Sequence, residues 1–335
     1  MKNETPSQTI PNLINKVTSQ VTQQSQQKPL PVSYKDIQDA SARLAGTVRR
    51  TALIEDDTLN GLLGARVFIK PECLQQTGSF KMRGAYNCLA QLSVNERARG
   101  VVAFSSGNHA QGVAKAAALL GIKATIVMPA DAPLLTIENT RAMGGHVVLY
   151  DRRTEDREAI AADISARTGA VVVPSYNDVH IIAGQGTAGL EVAEDYKQLV
   201  ASTSTEAAPL DMAVFCCGGG GLSSGAFIAL REQFPEIELV GVEPDGYDDV
   251  KRSLKAGKRL TNEETIDSIC DALLTPSPGP LTFEILSKLK AHGVSVSDEE
   301  AKAAVKFAAN TLKLTVEPGG AAALAALLAG KIETK

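Results

Sequence analysis

Short runs rich in valine and isoleucine alternate with helical stretches, and this alternation constrains the fold more than any other feature of the chain. The runs are "ARVFIK", "VVAFS", "KATIVMP", "HVVLYD", "AVVVP", "MAVFCC" and "IELVGVE". Between them lie "HAQGVAKAAALLG", "LLTIENTRAMGG" and "DREAIAADISARTG", which end in glycine as helices commonly do. Strands that are apolar on both faces and separated by helices form parallel sheets. The order therefore predicts an α/β fold.

Length and the later part of the chain bear on domain organisation. With 335 residues, one large or two interlocked domains with a substantial core are expected. After Glu243 the sequence becomes mainly helical, and these helices are expected to cover the sheet rather than form a separate domain. Residues 1–32 are expected to be a mobile tail, because the first thirty are rich in Gln, Ser and Thr and lack the apolar run of a signal peptide.

Composition disfavours several classes of protein. A formal net charge of -4 gives no basic face for nucleic acid, and no segment approaches about 18 uninterrupted apolar residues, so neither nucleic-acid binding nor a membrane span is expected. The five cysteines are an odd number without a C-x-x-C motif, and only four histidines are present, so no disulfide framework or zinc site is indicated. A cytoplasmic, reducing location is expected.

The clearest single motif is the run Gly218–Gly221, where a buried strand leads into a helix. Such a turn exposes backbone N–H groups at the positive end of a helix, where a phosphate can be held. A tight turn alone needs one or two glycines, not four. A dinucleotide is the rival ligand, because Glu243 follows at the position of a ribose-binding acid. The G-x-G-x-x-G fingerprint is imperfect, however, since Ser223 or Ser224 occupies its third glycine position.

A second loop between a strand and a helix, "FSSGNHAQG" at residues 104–112, gathers polar side chains that could grip a carboxylate. They are Ser105, Ser106, Asn108, His109 and Gln111. The alternative is that Ser106 or Asn108 simply caps the helix. One cap does not need five polar residues, so a site for a substrate anion is favoured.

A single lysine, Lys81, stands in "QQTGSFKMRGAYN" where extended chain is expected to give way to a helix. A lysine becomes nucleophilic where burial or a neighbouring positive charge lowers the pKa of its amine, and Arg83 lies two residues on. On local grounds alone a solvated lysine is the commoner case. Together, however, a lysine that can form a Schiff base, a loop that can bind a phosphate and a loop that can bind a carboxylate are the three features that binding of pyridoxal phosphate and an amino acid requires.

Five motifs, in order along the chain, carry a resemblance to a known family. They are "TGSFKMRGA", "SSGNHAQG", "IAGQGTAGLEV", "GGGGLSSG" and "EPGGAAALAALL". From about residue 33 onward the chain resembles the threonine/serine dehydratases and serine racemases, pyridoxal-phosphate enzymes with the tryptophan-synthase β-like fold. The resemblance implies two three-layer α/β/α open-sheet domains, a large one from residues 33–97 and 178–335 and a small one from residues 98–177. It also implies an amino acid substrate and a homodimer or higher homo-oligomer.

The resemblance assigns roles to individual residues. Lys81 would carry the cofactor and act as the base, Phe80 would flank the ring, and Ser106 would face Lys81 across the cofactor plane. The phosphate would be bound by Gly218, Gly219, Gly220, Gly221 and Leu222. Asn108 would contact the ring hydroxyl. The substrate carboxylate would be surrounded by Ser105, Ser106, Asn108 and His109.

A divalent cation is implied as well. Glu243, Asp249 and the carbonyl of Tyr247 in "EPDGYDD" match the cation site of the family, and this match displaces the ribose interpretation of Glu243. Carboxylate and carbonyl oxygens suit Mg²⁺, Mn²⁺ or Ca²⁺. The alternative for these acids is an exposed, acidic helix start.

The implied reaction removes water from L-serine or L-threonine and yields a 2-keto acid and ammonia. If Ser106 returns a proton to the opposite face, the other enantiomer forms instead, so dehydration and racemisation compete. Arg157 in "TEDREAI" aligns with an arginine that meets a distal carboxylate in serine racemase, which would favour 3-hydroxyaspartate. The favoured alternative is a helix-surface arginine paired with Glu155 or Glu158.

The chain departs from the family pattern at its end. The family usually continues with one more buried strand and a Ser-Gly-Gly-Asn turn that receives the pyridine nitrogen, whereas this sequence stops at Lys335. Two further hypotheses therefore stand beside the dehydratase. One is a catalytically incomplete chain that binds pyridoxal phosphate with little turnover, and the other is a nicotinamide-binding oxidoreductase.

Overall fold

A computed structural model describes residues 29–202, 209–262 and 267–334. The expected mobile tail therefore lies almost wholly outside the described residues. The helices are α1 Tyr34–Leu44, α2 Asp57–Leu63, α3 Lys81–Leu89, α4 Val94–Arg99, α5 Asn108–Leu119, α6 Leu134–Ala142, α7 Arg157–Thr168, α8 Val179–Ala201, α9 Gly221–Gln233, α10 Asp249–Ala256, α11 Pro280–Lys288, α12 Asp298–Phe307 and α13 Pro318–Leu328. None of these helices is long and apolar enough to cross a membrane.

The described strands form three sheets. They are β1 Ile54–Glu55, β2 Phe68–Ile69, β3 Val101–Phe104, β4 Ala124–Pro129, β5 Gly145–Tyr150, β6 Val171–Val172, β7 Met212–Cys216, β8 Glu238–Pro244 and β9 His292–Val296. Strands β1 and β2 pair antiparallel, and the other two sheets are parallel with the orders β5-β4-β3-β6 and β7-β8-β9. The parallel α/β fold expected from the sequence is confirmed.

The four-stranded sheet is covered by helices on both faces because successive residues of a strand point to opposite sides. In β3, Val101 and Ala103 face the cluster formed with α3 and α5, whereas Val102 faces the cluster formed with α7. In β4, Ile126 and Val127 divide in the same way. These double-sided apolar strands explain why the valine and isoleucine runs could be recognised in the sequence.

The three-stranded sheet is a second layer of the same kind. Leu239 in β8 packs with α9 and α11, and Val240 packs with α12 and α13. This sheet lies wholly within residues 178–335, and the four-stranded sheet lies wholly within residues 98–177. The domain boundaries themselves stay a prediction.

Helix α8 passes two other helices at very short range, and its glycines make this possible. A Cβ on Gly184 would lie 2.6 Å from the carbonyl oxygen of Arg83 in α3. A Cβ on Gly189 would lie 2.6 Å from the Cα of Ala226 in α9. Helix α8, which contains the motif "IAGQGTAGLEV", thus packs closely against both α3, which starts at Lys81, and α9, which follows the glycine run.

Candidate active site

The lysine motif, the polar loop and the glycine run meet at one cavity of about 1300 Å³. The predicted site residues on its wall are Phe80, Lys81, Ser105, Ser106, Asn108, His109, Arg157, Gly218, Gly219, Gly220, Gly221 and Leu222. Glu243, Tyr247 and Asp249 are not on this wall. The polar loop follows β3 and the glycine run follows β7, so the two parallel sheets position them. Lys81 begins α3, which is positioned by its close contact with α8.

Lys81 is the first residue of α3, and Phe80 occupies the position before it. The lysine amine lies on the cavity wall, where Nζ donates a hydrogen bond to the carbonyl of Ser175 at 3.0 Å. Nζ lies 5.2 Å from the centroid of the Phe80 ring. Burial lowers the pKa of the lysine to about 8, and the negative charge of Glu317 opposes that shift. About a tenth of the amine is therefore neutral and nucleophilic at pH 7, far more than for a lysine with an ordinary pKa.

The glycine run joins β7 to α9 and has four glycines for two different reasons. Gly220 has φ +87, a left-handed conformation that favours glycine. Gly219 and Gly221 have no space for a side chain, because a Cβ on either would collide with Tyr176. The first N–H groups of α9 have no partner within the helix. The run therefore brings backbone without side chains and the first N–H groups of α9 to the cavity wall, which suits a phosphate.

The polar loop places the N-terminus of α5 on the cavity. The Ser105 N–H donates to the carbonyl of Val127 at 3.1 Å, and the Ser105 hydroxyl accepts from the Gly107 N–H at 3.2 Å. Asn108, the first residue of α5, donates from Nδ2 to Oε1 of Glu317 at 2.6 Å. Ser105 thus shapes the loop, while the amide of Asn108 is oriented by an acid that sequence reasoning did not identify.

His109 is buried, and its ring is tied to the protein backbone. Its Nε2 lies 3.0 Å from the carbonyl oxygen of Val173. Because a carbonyl only accepts, Nε2 must carry the proton of this hydrogen bond. Burial, and then the charge of Lys81, lower the pKa of His109 to about 3. The imidazole is therefore neutral at physiological pH and presents no positive charge to a substrate carboxylate.

Arg157 begins α7 and lies on the cavity wall with its guanidinium 5.5 Å from the centroid of the Phe104 ring. Within the part of the chain that the structure describes, it forms no ion pair with Glu155 or Glu158. The side chain is exposed at the helix start, as the favoured alternative expected, but the expected pairing with Glu155 or Glu158 is absent.

Glu243 and Asp249 form a buried pair of acids away from the cavity. Both Glu243 oxygens accept backbone N–H groups at the start of α10, from Val250 at 2.8 Å and from Lys251 at 2.7 Å. Asp249 accepts from Asn262 at 2.9 Å through Oδ1, whereas its buried Oδ2 has no partner. Burial and then the neighbouring Asp249 raise the pKa of Glu243, and burial raises that of Asp249 to about 6. The acids are not at an exposed helix start.

Among residues 29–202, 209–262 and 267–334, no three histidine, cysteine, aspartate or glutamate side chains lie close enough together to share a metal ion. The predicted cation site contributes only two such side chains, Glu243 and Asp249.

Comparison with known proteins decides the family. The family model described as "Pyridoxal-phosphate dependent enzyme" matches residues 44–335. The chain belongs to this family of pyridoxal-phosphate dependent enzymes.

The similar proteins in this family are named for three different activities. An L-threonine ammonia-lyase of Thermotoga maritima is 41% identical over 304 residues, which cover 91% of this chain and 73% of the relative. An L-threo-3-hydroxyaspartate ammonia-lyase of a Pseudomonas species is 43% identical over 295 residues, covering 88% of this chain and 89% of the relative. The structure of maize serine racemase matches with a TM-score of 0.84 and 35% identity, over 91% of this chain and 88% of that one.

The residues on the cavity wall fit pyridoxal phosphate. The amine of Lys81 has the lowered pKa that attack on an aldehyde requires. On the same cavity wall, the glycine run is free of side chains and leads into the N-terminus of α9, where a phosphate can be held. Sequence reasoning missed Tyr176, Gln185 and Glu317 on this wall. The last two belong to motifs that carried the resemblance, which is the only signal that could have drawn attention to them.

Proposed function

We propose that this chain removes water from a β-hydroxy-α-amino acid with the help of pyridoxal phosphate, giving a 2-keto acid and ammonia. The observation that carries the proposal is the amine of Lys81, whose pKa is about 8, on the same cavity wall as the glycine run. Relatives named L-threonine ammonia-lyase and L-threo-3-hydroxyaspartate ammonia-lyase support it.

Pyridoxal phosphate, when bound, supplies an aldehyde that condenses with amines and a ring that accepts the electrons of a bond broken at the α-carbon. Lys81 would hold the aldehyde group of the cofactor, and its Nζ, once free, would take the α-proton of the substrate. The β-hydroxyl would leave as water with the proton that Nζ returns to it. The enamine released from the site would then take up water and lose ammonia, which gives the 2-keto acid.

Other residues orient the reactants. The first N–H groups of α5 and the side chains of the polar loop would receive the substrate carboxylate. Asn108 would face the cofactor ring with its amide held by Glu317. His109 would act as a neutral wall, because its Nε2 proton is committed to Val173 and its pKa is about 3.

Release of 2-keto acid and ammonia from L-serine, L-threonine and L-threo-3-hydroxyaspartate would test the proposed reaction. The wild-type protein should release both products in equal amounts from at least one of the three, and Lys81→Ala should release neither. Wild-type protein that contains pyridoxal phosphate but produces no keto acid would favour the catalytically incomplete chain.

Racemisation is a second candidate, since Ser106 shares the cavity wall with Lys81 and the maize protein of the same fold is a serine racemase. A hydroxyl at Ser106 could return a proton to the face opposite the lysine. Both products would then arise from the same substrate, in a ratio set by how quickly the β-hydroxyl departs.

The substrate side chain that we propose is a second carboxylate, as in 3-hydroxyaspartate. Arg157 lies on the cavity wall without an acidic partner among the described residues, and its guanidinium could meet such a group. Arg157→Met should reduce kcat/KM for L-threo-3-hydroxyaspartate about tenfold or more and change that for L-serine little. Arg153→Met, an exposed arginine of the preceding turn, serves as the control. An equal loss for both substrates would remove the role in recognition.

We also propose that Glu243, Asp249 and the Tyr247 carbonyl hold a divalent cation such as Mg²⁺, Mn²⁺ or Ca²⁺. The unpartnered, buried Oδ2 of Asp249 supports this, because a cation would supply the missing interaction. It would neutralise the two acids and fasten the end of β8 to the start of α10.

We also propose that the protein forms a homodimer or higher homo-oligomer and that it is cytoplasmic. Leu134 and Leu135 stand side by side at the start of α6 with about two-thirds of their surfaces exposed (67% and 68%), which would suit a contact between subunits. All five cysteines are unpaired, which suits a reducing compartment. Light scattering after size exclusion tests the first point.

A further inference from the structure

Gln185 in α8 is the most unusual polar residue on the cavity wall. Its side chain is 1% exposed, yet neither Nε2 nor Oε1 has a hydrogen-bond partner among the described residues. A buried amide with no partner destabilises a folded protein, because its hydrogen bonds to water are lost and not replaced. An unpaired buried amide therefore calls for a functional explanation.

The amide lies between the two elements that would hold the cofactor. A Cβ on Gly84, three residues after Lys81 in α3, would be 3.1 Å from Nε2. A Cβ on Gly221, the first residue of α9, would be 2.8 Å from Oε1. Glycine at both positions leaves just enough space for this side chain. The amide is therefore held beside the first N–H groups of α9, at the edge of the proposed phosphate surface.

A second buried glutamine shows what a purely structural amide looks like in the same protein. Gln75 is 2% exposed, and both the nitrogen and the oxygen of its amide have hydrogen-bond partners. Nε2 donates to the carbonyl of Arg49 at 2.7 Å, and Oε1 accepts from the N–H groups of Arg49 at 2.8 Å and Gln76 at 2.9 Å. The contrast indicates that the open amide of Gln185 serves a ligand rather than the fold.

We propose that Gln185 is a cofactor-binding residue whose amide NH₂ donates a hydrogen bond to the phosphate of pyridoxal phosphate. Rotation of the amide by 180° exchanges its oxygen and nitrogen without steric change, so the NH₂ can be turned toward the N-terminus of α9. A neutral donor suits this position, because a carboxylate there would repel the phosphate. This inference rests on the proposed function, since it takes that cofactor as the ligand.

The test compares Gln185→Met, which keeps the shape of the side chain and removes its polar atoms, with Gln75→Met and the wild type. Apoprotein is titrated with pyridoxal phosphate and with pyridoxal, which lacks the phosphate, and binding is followed by the visible absorbance of the lysine adduct. A hydrogen bond to a charged group corresponds to about a tenfold to hundredfold change in affinity. Gln185→Met should lose that much affinity for pyridoxal phosphate and none for pyridoxal.

Apoprotein stability gives the second readout. Gln185→Met should unfold at the same or a higher urea concentration than the wild type, because an unsatisfied buried amide has been removed, whereas Gln75→Met should unfold earlier. Equal losses for the two aldehydes, unchanged affinity, or a less stable Gln185→Met apoprotein would each overturn the proposal.

Inorganic phosphate separates this inference from the proposed function. It should protect the wild-type apoprotein against thermal unfolding more than it protects Gln185→Met, whether or not pyridoxal phosphate binds. If the wild type bound no pyridoxal phosphate, the proposed function would fail while the phosphate comparison still decided the role of Gln185. Equal protection of the two proteins would count against that role.

Discussion

Arg83, two residues after Lys81, is the residue whose replacement should destabilise the fold most. Its side chain is 0% exposed. It donates to both oxygens of Glu72, at 2.7 and 2.9 Å, and to both oxygens of Glu191, at 2.7 and 2.8 Å. Lys70 adds a second cation 2.7 Å from Glu191. The guanidinium thus joins α3 to α8 and to the segment after β2.

Arg83→Met would leave two largely buried acids with Lys70 as their remaining cation. Removing one partner of a buried ion pair typically destabilises a protein by about 3–5 kcal/mol, because the other charge remains buried and uncompensated. The unfolding equilibrium constant should therefore rise by roughly a factor of a hundred to a few thousand. The measurement is urea denaturation of the apoprotein, followed by circular dichroism.

The matched control is Arg152→Met. Arg152 pairs with Asp131 at a similar distance, 2.8 Å, but its side chain is 47% exposed. An exposed pair contributes at most about 1 kcal/mol. The double variant Arg83→Met, Glu72→Gln should recover part of the loss, because Glu191 still pairs with Lys70 and Glu72 no longer carries a buried charge. Equal effects of Arg83→Met and Arg152→Met, or no recovery in the double variant, would refute the reasoning.

Three further outcomes are expected. The rate at which pyridoxal phosphate adds to the apoprotein should rise with pH through about 8 and then level off, because the neutral amine of Lys81 is the nucleophile; a rate that is flat from pH 6 to 10 would contradict this. Ser106→Ala should suppress racemisation more than dehydration, as measured by chiral chromatography beside a keto-acid assay, and equal losses would reduce Ser106 to a carboxylate contact. Metal-free protein should lose stability as pH rises from about 4 through about 6, because burial raises the pKa of Asp249 to about 6 and the folded state then holds a proton that the unfolded state releases. The raised pKa of Glu243 acts in the same direction. Mg²⁺ should restore that stability above pH 6, and a melting curve unchanged by Mg²⁺ at pH 7.5 would remove the cation site.

The fold was largely predictable from the sequence because its parallel strands are buried on both faces. All seven apolar runs contain a strand in the structure. The strand His292–Val296 was missed, since "HGVSV" is neither a continuous apolar run nor a clean alternation, and it pairs only with β8 among the described strands. The left-handed Gly169 at the end of α7 was correctly expected from the glycine that closes its helical stretch.

The candidate site was predictable only where its chemistry is local in sequence. The glycine run and the polar loop each carry their signal within ten residues. The partner of Asn108 is Glu317, which is 209 residues away and looks like an ordinary acid at a helix start. The open amide of Gln185 could not be foreseen either, because the absence of a partner is a property of the packed structure. Long-range side-chain pairing of this kind has no periodic pattern to reveal it.

The covalent attachment of the cofactor to Lys81 is the point on which the proposed chemistry depends most. The measurement is the visible spectrum of the purified protein incubated with pyridoxal phosphate, followed by borohydride reduction and mass spectrometry of the peptide that contains residue 81. The wild type should be yellow and should carry the reduced cofactor on Lys81, and Lys81→Ala should show neither the band nor a modified peptide. A Lys81→Ala protein with the same visible band and the same reducible adduct would contradict the assignment of Lys81 and the mechanism built on it.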